Sequence, residues 1–341
     1  MRKSIAFPTS KLKVFTCILA LMVAFASCTE KKKTTGESKP GDDTTAPYAE
    51  ISIKEGGEWQ DGDRGHKEYI GGSFKNVDSM TVPEEHTDHT WYIRYEGPGW
   101  ENQQVGYRLY LDWRNAIDIF GKKVDTLALP YVGREGFDSY HEMAGWGMDI
   151  LKVGNALGIG GFGRYVDGEV LHFNEVENTS VDIENSDDKA SVNIHYEGWE
   201  TAGTKVDLQS TLSIFPEGRH TKAEFTFSKP IEGFSTGIVD HGLPLMKSEG
   251  SNWGYIATYG AQTLVNDTDK LGMAVFYKLD EVSEVTTGED DHLVVFNPAE
   301  KLSYYFLAAW EQEPNGITNQ AAFENYLGDL LRELEEDGEL E

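Results

Sequence analysis

Cysteine is nearly missing from this 341-residue chain, which has only Cys17 and Cys28. Beyond position 28 there is no thiol for a disulfide, a zinc–thiolate centre or a cysteine nucleophile. Positive charge is scarce too: 30 Lys and Arg stand against 58 Asp and Glu, a formal charge of −28. Four of those bases, Arg2, Lys3, Lys11 and Lys13, crowd the N-terminus. So acidic a chain lacks the basic face that phosphates require, which argues against a nucleic-acid partner. A polyanionic substrate would need a local basic pocket to override the surrounding field. Long apolar runs are absent as well. The run Val14 to Ala26 is too short to span a bilayer as a helix, which takes about 20 residues. Nowhere do strand-like segments alternate with helical patterns of about 10 to 15 residues, which argues against a parallel βαβ sheet. No fixed-period repeat is visible.

What is present first concerns the leader. A basic start, a short apolar core and small residues ending in "FASC" read as a signal peptide over 1–27. The ending resembles a bacterial lipobox, with Cys28 as the lipid-modified residue and Phe25 standing where Leu is commoner. Residues 28–47, including "TEKKKTTGESKPGDDTTAP", are too polar to bury much surface and read as a flexible tether. Residues 48–341 then form a single domain. The expected location is a lipoprotein held at the membrane through its lipid alone, on the outer membrane or facing the periplasm.

Within that domain period-two segments dominate: "SVNIHYEG", "KVDLQSTLSIF", "TKAEFTFS", "NWGYIATYG", "LGMAVFYKL", "HLVVFN" and "LSYYFLAAW". Turn chemistry such as "PEGRH" separates them. The expected fold is all-β, a large antiparallel sandwich of two sheets, with a mutarotase-like supersandwich as its variant. One helix closes the chain. Phe323, Tyr326, Leu327, Leu330, Leu331 and Leu334 follow three-and-four spacing, and Asn319 is the expected cap. The apolar stripe suits packing on the sandwich.

The strand-like stretch Val105 to Arg114, "VGYRLYLDWR", would put Val105, Tyr107, Leu109, Leu111 and Trp113 on a core face. Arg108, Tyr110, Asp112 and Arg114 would form a polar row on the other, about 7 Å apart. Two guanidiniums so placed suit a carboxylated ligand, or they pair with the neighbouring acids. "GIGGFG", Gly158 to Gly163, matches the dinucleotide fingerprint in letters only. It does not follow a strand and open a helix, and its glycines are better read as allowing close backbone approach. Such a loop would bring Tyr140, His141, Glu142, Asp149 and Lys152 to a sheet surface. Tyr140 and His141 are the acid/base candidates. "EEHTDHTW" offers His86 and His89 as weak metal candidates; no organic cofactor is expected, and a divalent metal stays open. In "VDHGLP", Asp240 beside His241 either orients the imidazole or builds the turn. Trp91, Trp100, Trp146 and Trp253 are either core or sugar-stacking residues.

"YRLYLDWRNAIDIFGK" and "GFDSYHEMAGWGMDILKVGNALGIGGFG" together resemble the signature of a lipoprotein domain family of formerly unknown function. The family is found beside polysaccharide-degrading enzymes in bacteria, and the resemblance spans most of Tyr48 to Trp310. One branch is implicated in degrading ulvan, a sulfated uronic-acid polymer. What the resemblance implies is an oligosaccharide dehydratase. Such an enzyme removes water from a non-reducing-end uronic acid and leaves a 4,5-unsaturated sugar, with sulfated uronic-acid oligosaccharides as partners. Elimination needs the carboxylate neutralised, the C5 proton removed and the 4-hydroxyl protonated. Arg108 and Arg114 are expected at the carboxylate, with His141 and Tyr140 as the proton-transfer pair and Asp112 or Asp149 orienting them. Tyr110, Lys152, His241 and Trp146 are expected to bind substrate. A polysaccharide lyase, a glycoside hydrolase and a non-catalytic glycan-binding lipoprotein are the alternatives.

Overall fold

The computed structural model describes residues 45–134 and 136–340, apart from the side chains at 137 and 138. The expected signal peptide, Cys28 and most of the expected tether lie outside the described residues. The compact unit Pro40–Glu341 carries every element below. No described helix is long and apolar enough to cross a membrane.

The protein is all-β with one C-terminal helix, as the alternating pattern implies. Twenty strands among the described residues form three antiparallel sheets of nine, six and five strands, where the sequence suggested two. The nine-stranded sheet is one layer. Its centre is built by Lys270–Lys278, Lys301–Trp310, His220–Phe227, Thr204–Ile214 and Ala190–Thr201. The other layer is divided. The six-stranded sheet packs over one part, and the five-stranded sheet over another. A parallel bridge between Ile117 and Gly158 joins these two sheets.

Alternation explains the layering. Along Lys301–Trp310, Tyr304, Phe306, Ala308 and Trp310 enter the inter-sheet core, while Tyr305, Leu307 and Ala309 enter a second core on the outer face. That outer core is closed by the helix Gln320–Asp337, which buries Phe323, Leu327, Leu330 and Leu334. Asn319 caps it by accepting from the Ala322 amide at 2.9 Å, and Gly338 ends it in a left-handed conformation.

The "GIGGFG" run lies in the strand Ile159–Val166 of the five-stranded sheet, preceded by Gly158, so it is not a loop. Gly160 has φ +67°, and a Cβ there would run into the Phe306 ring; at Gly158 it would strike the Ile117 carbonyl. Glycine is therefore required where this strand crosses the opposing layer. The preceding "MDILKVGNAL" is a three-residue strand, Gly147–Asp149, and irregular chain, with no helix.

Candidate functional site

The six-stranded sheet contains both segments singled out in the sequence. The strand expected over Val105–Arg114 ends early, covering only Gly106–Leu109. After Tyr110 the chain turns at Asp112, whose carbonyl accepts from the Asn115 amide, and Asn115 itself is left-handed at φ +48°. The polar row is therefore not a straight ladder. The turn folds Arg114 back until its guanidinium lies 3.9 Å from the Tyr110 ring centre, with Arg108 on the same ring at 4.7 Å.

Arg108 is almost wholly buried. It donates to Asp118 at 2.8 Å, to Asp149 at 2.5 Å, to the Tyr110 and Tyr140 hydroxyls at 3.0 and 3.1 Å, and to the Tyr95 carbonyl. Its guanidinium is thus taken up by two protein carboxylates and does not face solvent as a ready receptor for a substrate acid. Arg114 is similarly engaged, with Asp112 at 2.5 Å, Asp88 at 3.1 Å and Glu96 at 3.2 Å. Asp112 serves Arg114 and its own turn. Asp149 is the acid that reaches the imidazole, with Oδ2 lying 3.3 Å from His141 Nδ1. The Tyr140 and His141 rings are 4.4 Å apart, on the short 3₁₀ turn Phe137–His141.

These positions sit behind a cavity of about 310 Å³ whose walls include Lys54, Phe74, Trp91, Glu96 and Tyr140. That volume is at the lower end of the about 300–1,000 Å³ common for ligand pockets. Glu96 and Lys54 are lining residues that sequence reasoning missed. Glu96 is the acid of the two. It is 5 % exposed, accepts from the His89 amide at 3.1 Å, and stands between the two arginines, 3.7 Å from Arg108. Nothing in its local pattern marks it, because its position comes from a contorted backbone. His89, Trp91, Tyr95 and Glu96 all have positive φ, between 42° and 69°. Such strain in non-glycine residues concentrates at functional sites. Glu50 holds the segment from below: it accepts from the Tyr95 hydroxyl at 2.8 Å and pairs with buried Arg94.

Burial and charge set the protonation states. Desolvation, reinforced by Asp149 and opposed by Arg108, pushes Asp118 up to about 7. Burial raises the Tyr140 phenol above the ordinary tyrosine range, while Arg108 works in the other direction. Tyr140 is therefore a neutral phenol at physiological pH. Its oxygen accepts a hydrogen bond that would stabilise the phenolate.

The other expected residues are placed less centrally. Trp146 packs edge-on to Phe120 at 5.9 Å, in the small core that also contains Tyr140. His241 Nε2 lies 2.8 Å from the Lys152 carbonyl oxygen, and no hydrogen bond or ion pair among the described residues joins either to Arg108. Asp240 accepts from the Gly242 amide and so builds the turn. His86 faces Thr90 at 2.7 Å, and burial pushes it down to about 4. His89, Asp88 and Glu96 do bring ligand-type atoms within 4.8 Å of one another. Arg114 already forms ion pairs with both of those carboxylates, supplying the positive charge a metal would bring.

A second cavity of about 370 Å³ is lined by His172, Glu169, Glu289, Asp290 and Asp291 among others. Its carboxylates disfavour an anionic ligand, so the Arg108 side of the molecule is the candidate site. No curated protein matches the chain. Residues 19–338 match the model of the family described as a domain of unknown function, DUF4861, and the chain belongs to that family.

Proposed function

We propose that this protein is a carbon–oxygen lyase, a dehydratase acting on the non-reducing-end uronic acid of sulfated, ulvan-type oligosaccharides. The observation that carries the reading is Tyr140, which lines the cavity with its phenol oxygen on Arg108 and the Asp149-linked His141 beside it. His141 takes the C5 proton. The C–H electrons form the C4–C5 double bond, the C4–O bond breaks, and the departing hydroxyl leaves as water with the Tyr140 proton. Arg108 stabilises the phenolate left behind, and Asp149 orients the imidazole. Arg108 and Arg114 bring positive charge close to the cavity. Because both are engaged by acids, Arg108 acts through its hydrogen bond to the Tyr140 hydroxyl and Arg114 by positioning, and neither grips the substrate acid directly. No organic cofactor is invoked.

Glu96 is the one carboxylate among the described lining residues, whereas glycoside hydrolysis ordinarily uses a carboxyl pair. A polysaccharide lyase would perform the same elimination with a sugar as leaving group. A non-catalytic glycan-binding lipoprotein is the second reading, favoured by the aromatic walls Phe74 and Trp91. Attachment through a lipid on Cys28, at the outer membrane or facing the periplasm, belongs to the same proposal. The deciding experiment incubates purified protein with uronic-ended oligosaccharides and follows mass and ultraviolet absorbance. Loss of one water with the chain uncut is expected. A shortened chain identifies the lyase, and unchanged substrate defeats every enzymatic reading.

A further inference from the structure

Among the described residues, the arginines behind the cavity are paired with acids, whereas the lysine on its wall is not. Arg94, Arg108 and Arg114 face Glu50, Asp118 and Asp149, and Asp112 respectively. On the hairpin formed by Tyr48–Asp61 and Lys67–Val77, Lys67 pairs with Asp61 and Lys75 with Glu55. Lys54, on the same hairpin, has no carboxylate partner among the described residues. Its cross-strand neighbour is Phe74, whose ring centre lies 5.4 Å from Nζ; the Tyr69 carbonyl accepts from it at 3.4 Å. Partial burial holds its pKa below the ordinary lysine value, the mark of a charge not compensated by a nearby acid. In a chain with nearly twice as many acids as bases, a cavity-lining ammonium left without an acid calls for an anion from outside. Arg64 adds a second cation, 5.7 Å over the ring of Trp91, which is also a cavity wall.

We infer that Lys54, supported by Arg64, is the receptor for an oxyanion group of the substrate, with Trp91 as the face on which the sugar carrying that group rests. The oxyanion is either the uronic carboxylate or a sulfate ester; both present oxygens to which an ammonium donates. The assignment takes its location from the proposed reaction site, but its recognition chemistry does not depend on turnover. It deepens that reading by supplying the direct anion contact that the engaged arginines do not.

The test is calorimetric binding of a sulfated, uronic-ended disaccharide to the wild type, Lys54→Met and Lys54→Arg, with melting temperatures as a check on folding. The Met variant should bind about tenfold or more weakly, as expected for losing one charge-assisted contact, and the Arg variant should recover most of that loss. If the difference vanishes on the desulfated ligand, sulfate is the contacted group. If it survives desulfation but vanishes on the carboxyl-reduced ligand, the carboxylate is. Equal affinity of wild type and Lys54→Met for all three ligands overturns the inference, as does absence of wild-type binding to them, or a difference that remains on a fourth ligand both desulfated and carboxyl-reduced. Wild-type protein that binds but forms no unsaturated product would defeat the proposed reaction alone, so the two ideas fail separately.

Discussion

At the scale of single residues, the chemistry rests on a phenol made useful by its neighbours. Tyr140→Phe removes one oxygen and keeps the ring that packs 6.0 Å from Phe120 and lies under Arg108. The variant should fold and bind normally, while turnover falls by about 10² to 10⁴, the range for losing a positioned proton donor. A retained rate would move the acid role elsewhere. Away from the site, His220 shows how burial controls pH response. It is 3 % exposed, packs against Phe215 and Tyr305, and neither ring nitrogen has a hydrogen-bond partner among the described residues. Desolvation pushes it down to about 4 from 6.5. Between those values the unfolded chain binds more protons than the folded one. Its contribution is therefore present above about pH 6.5 and lost as pH falls through about 4. His220→Phe should flatten that acid limb, raising the melting temperature more at pH 5 than at pH 8. An equal shift at both pH values would deny that the imidazole titrates this way.

At the scale of elements, what could be read from the sequence followed periodicity. The alternating stretches around Trp253–Ala261, Lys270–Lys278 and Lys301–Trp310 are strands, and the three-and-four pattern after Asn319 is a helix, because side-chain period reports which face is buried. The stretch Val105–Arg114 alternates just as well, yet its strand stops at Leu109. Asp112 prefers to close a turn over its own backbone, and that preference outweighs the pattern. The glycine-rich strand was harder still, since the need for glycine there comes from Phe306, nearly 150 positions away. Gly160→Ala should make this visible. The left-handed φ and the Phe306 ring both oppose a Cβ, so a loss of about 2 kcal/mol or more is expected in denaturant melts. An unchanged midpoint would mean that the two layers can move apart at little cost.

For the whole molecule, charge is the dominant fact. A protein of net charge −28 repels an anionic oligosaccharide until salt screens the field, which at about 0.1 M decays over roughly 10 Å. The specificity constant for sulfated substrate should therefore rise from low to moderate salt, whereas a desulfated, carboxyl-reduced analogue should bind with little salt dependence. A fall with salt for the sulfated substrate would mean that the Lys54 and Arg64 region governs the approach and the global field does not. The site itself was only half legible. Tyr140, His141, Arg108 and Asp149 stood out as residue types, and the fold brings them together. Glu96 and Lys54 did not, because their placement depends on a twisted segment and on which side of a hairpin faces inward. That twisted segment carries a warning for protein engineers. Swapping Glu96 for glycine would relax a cramped main chain, but it would also strip Arg108 and Arg114 of a buried counter-charge, so the variant should lose stability. A screen for heat tolerance and an assay of turnover would then favour the same side chain, the one acid among the described residues of the cavity wall.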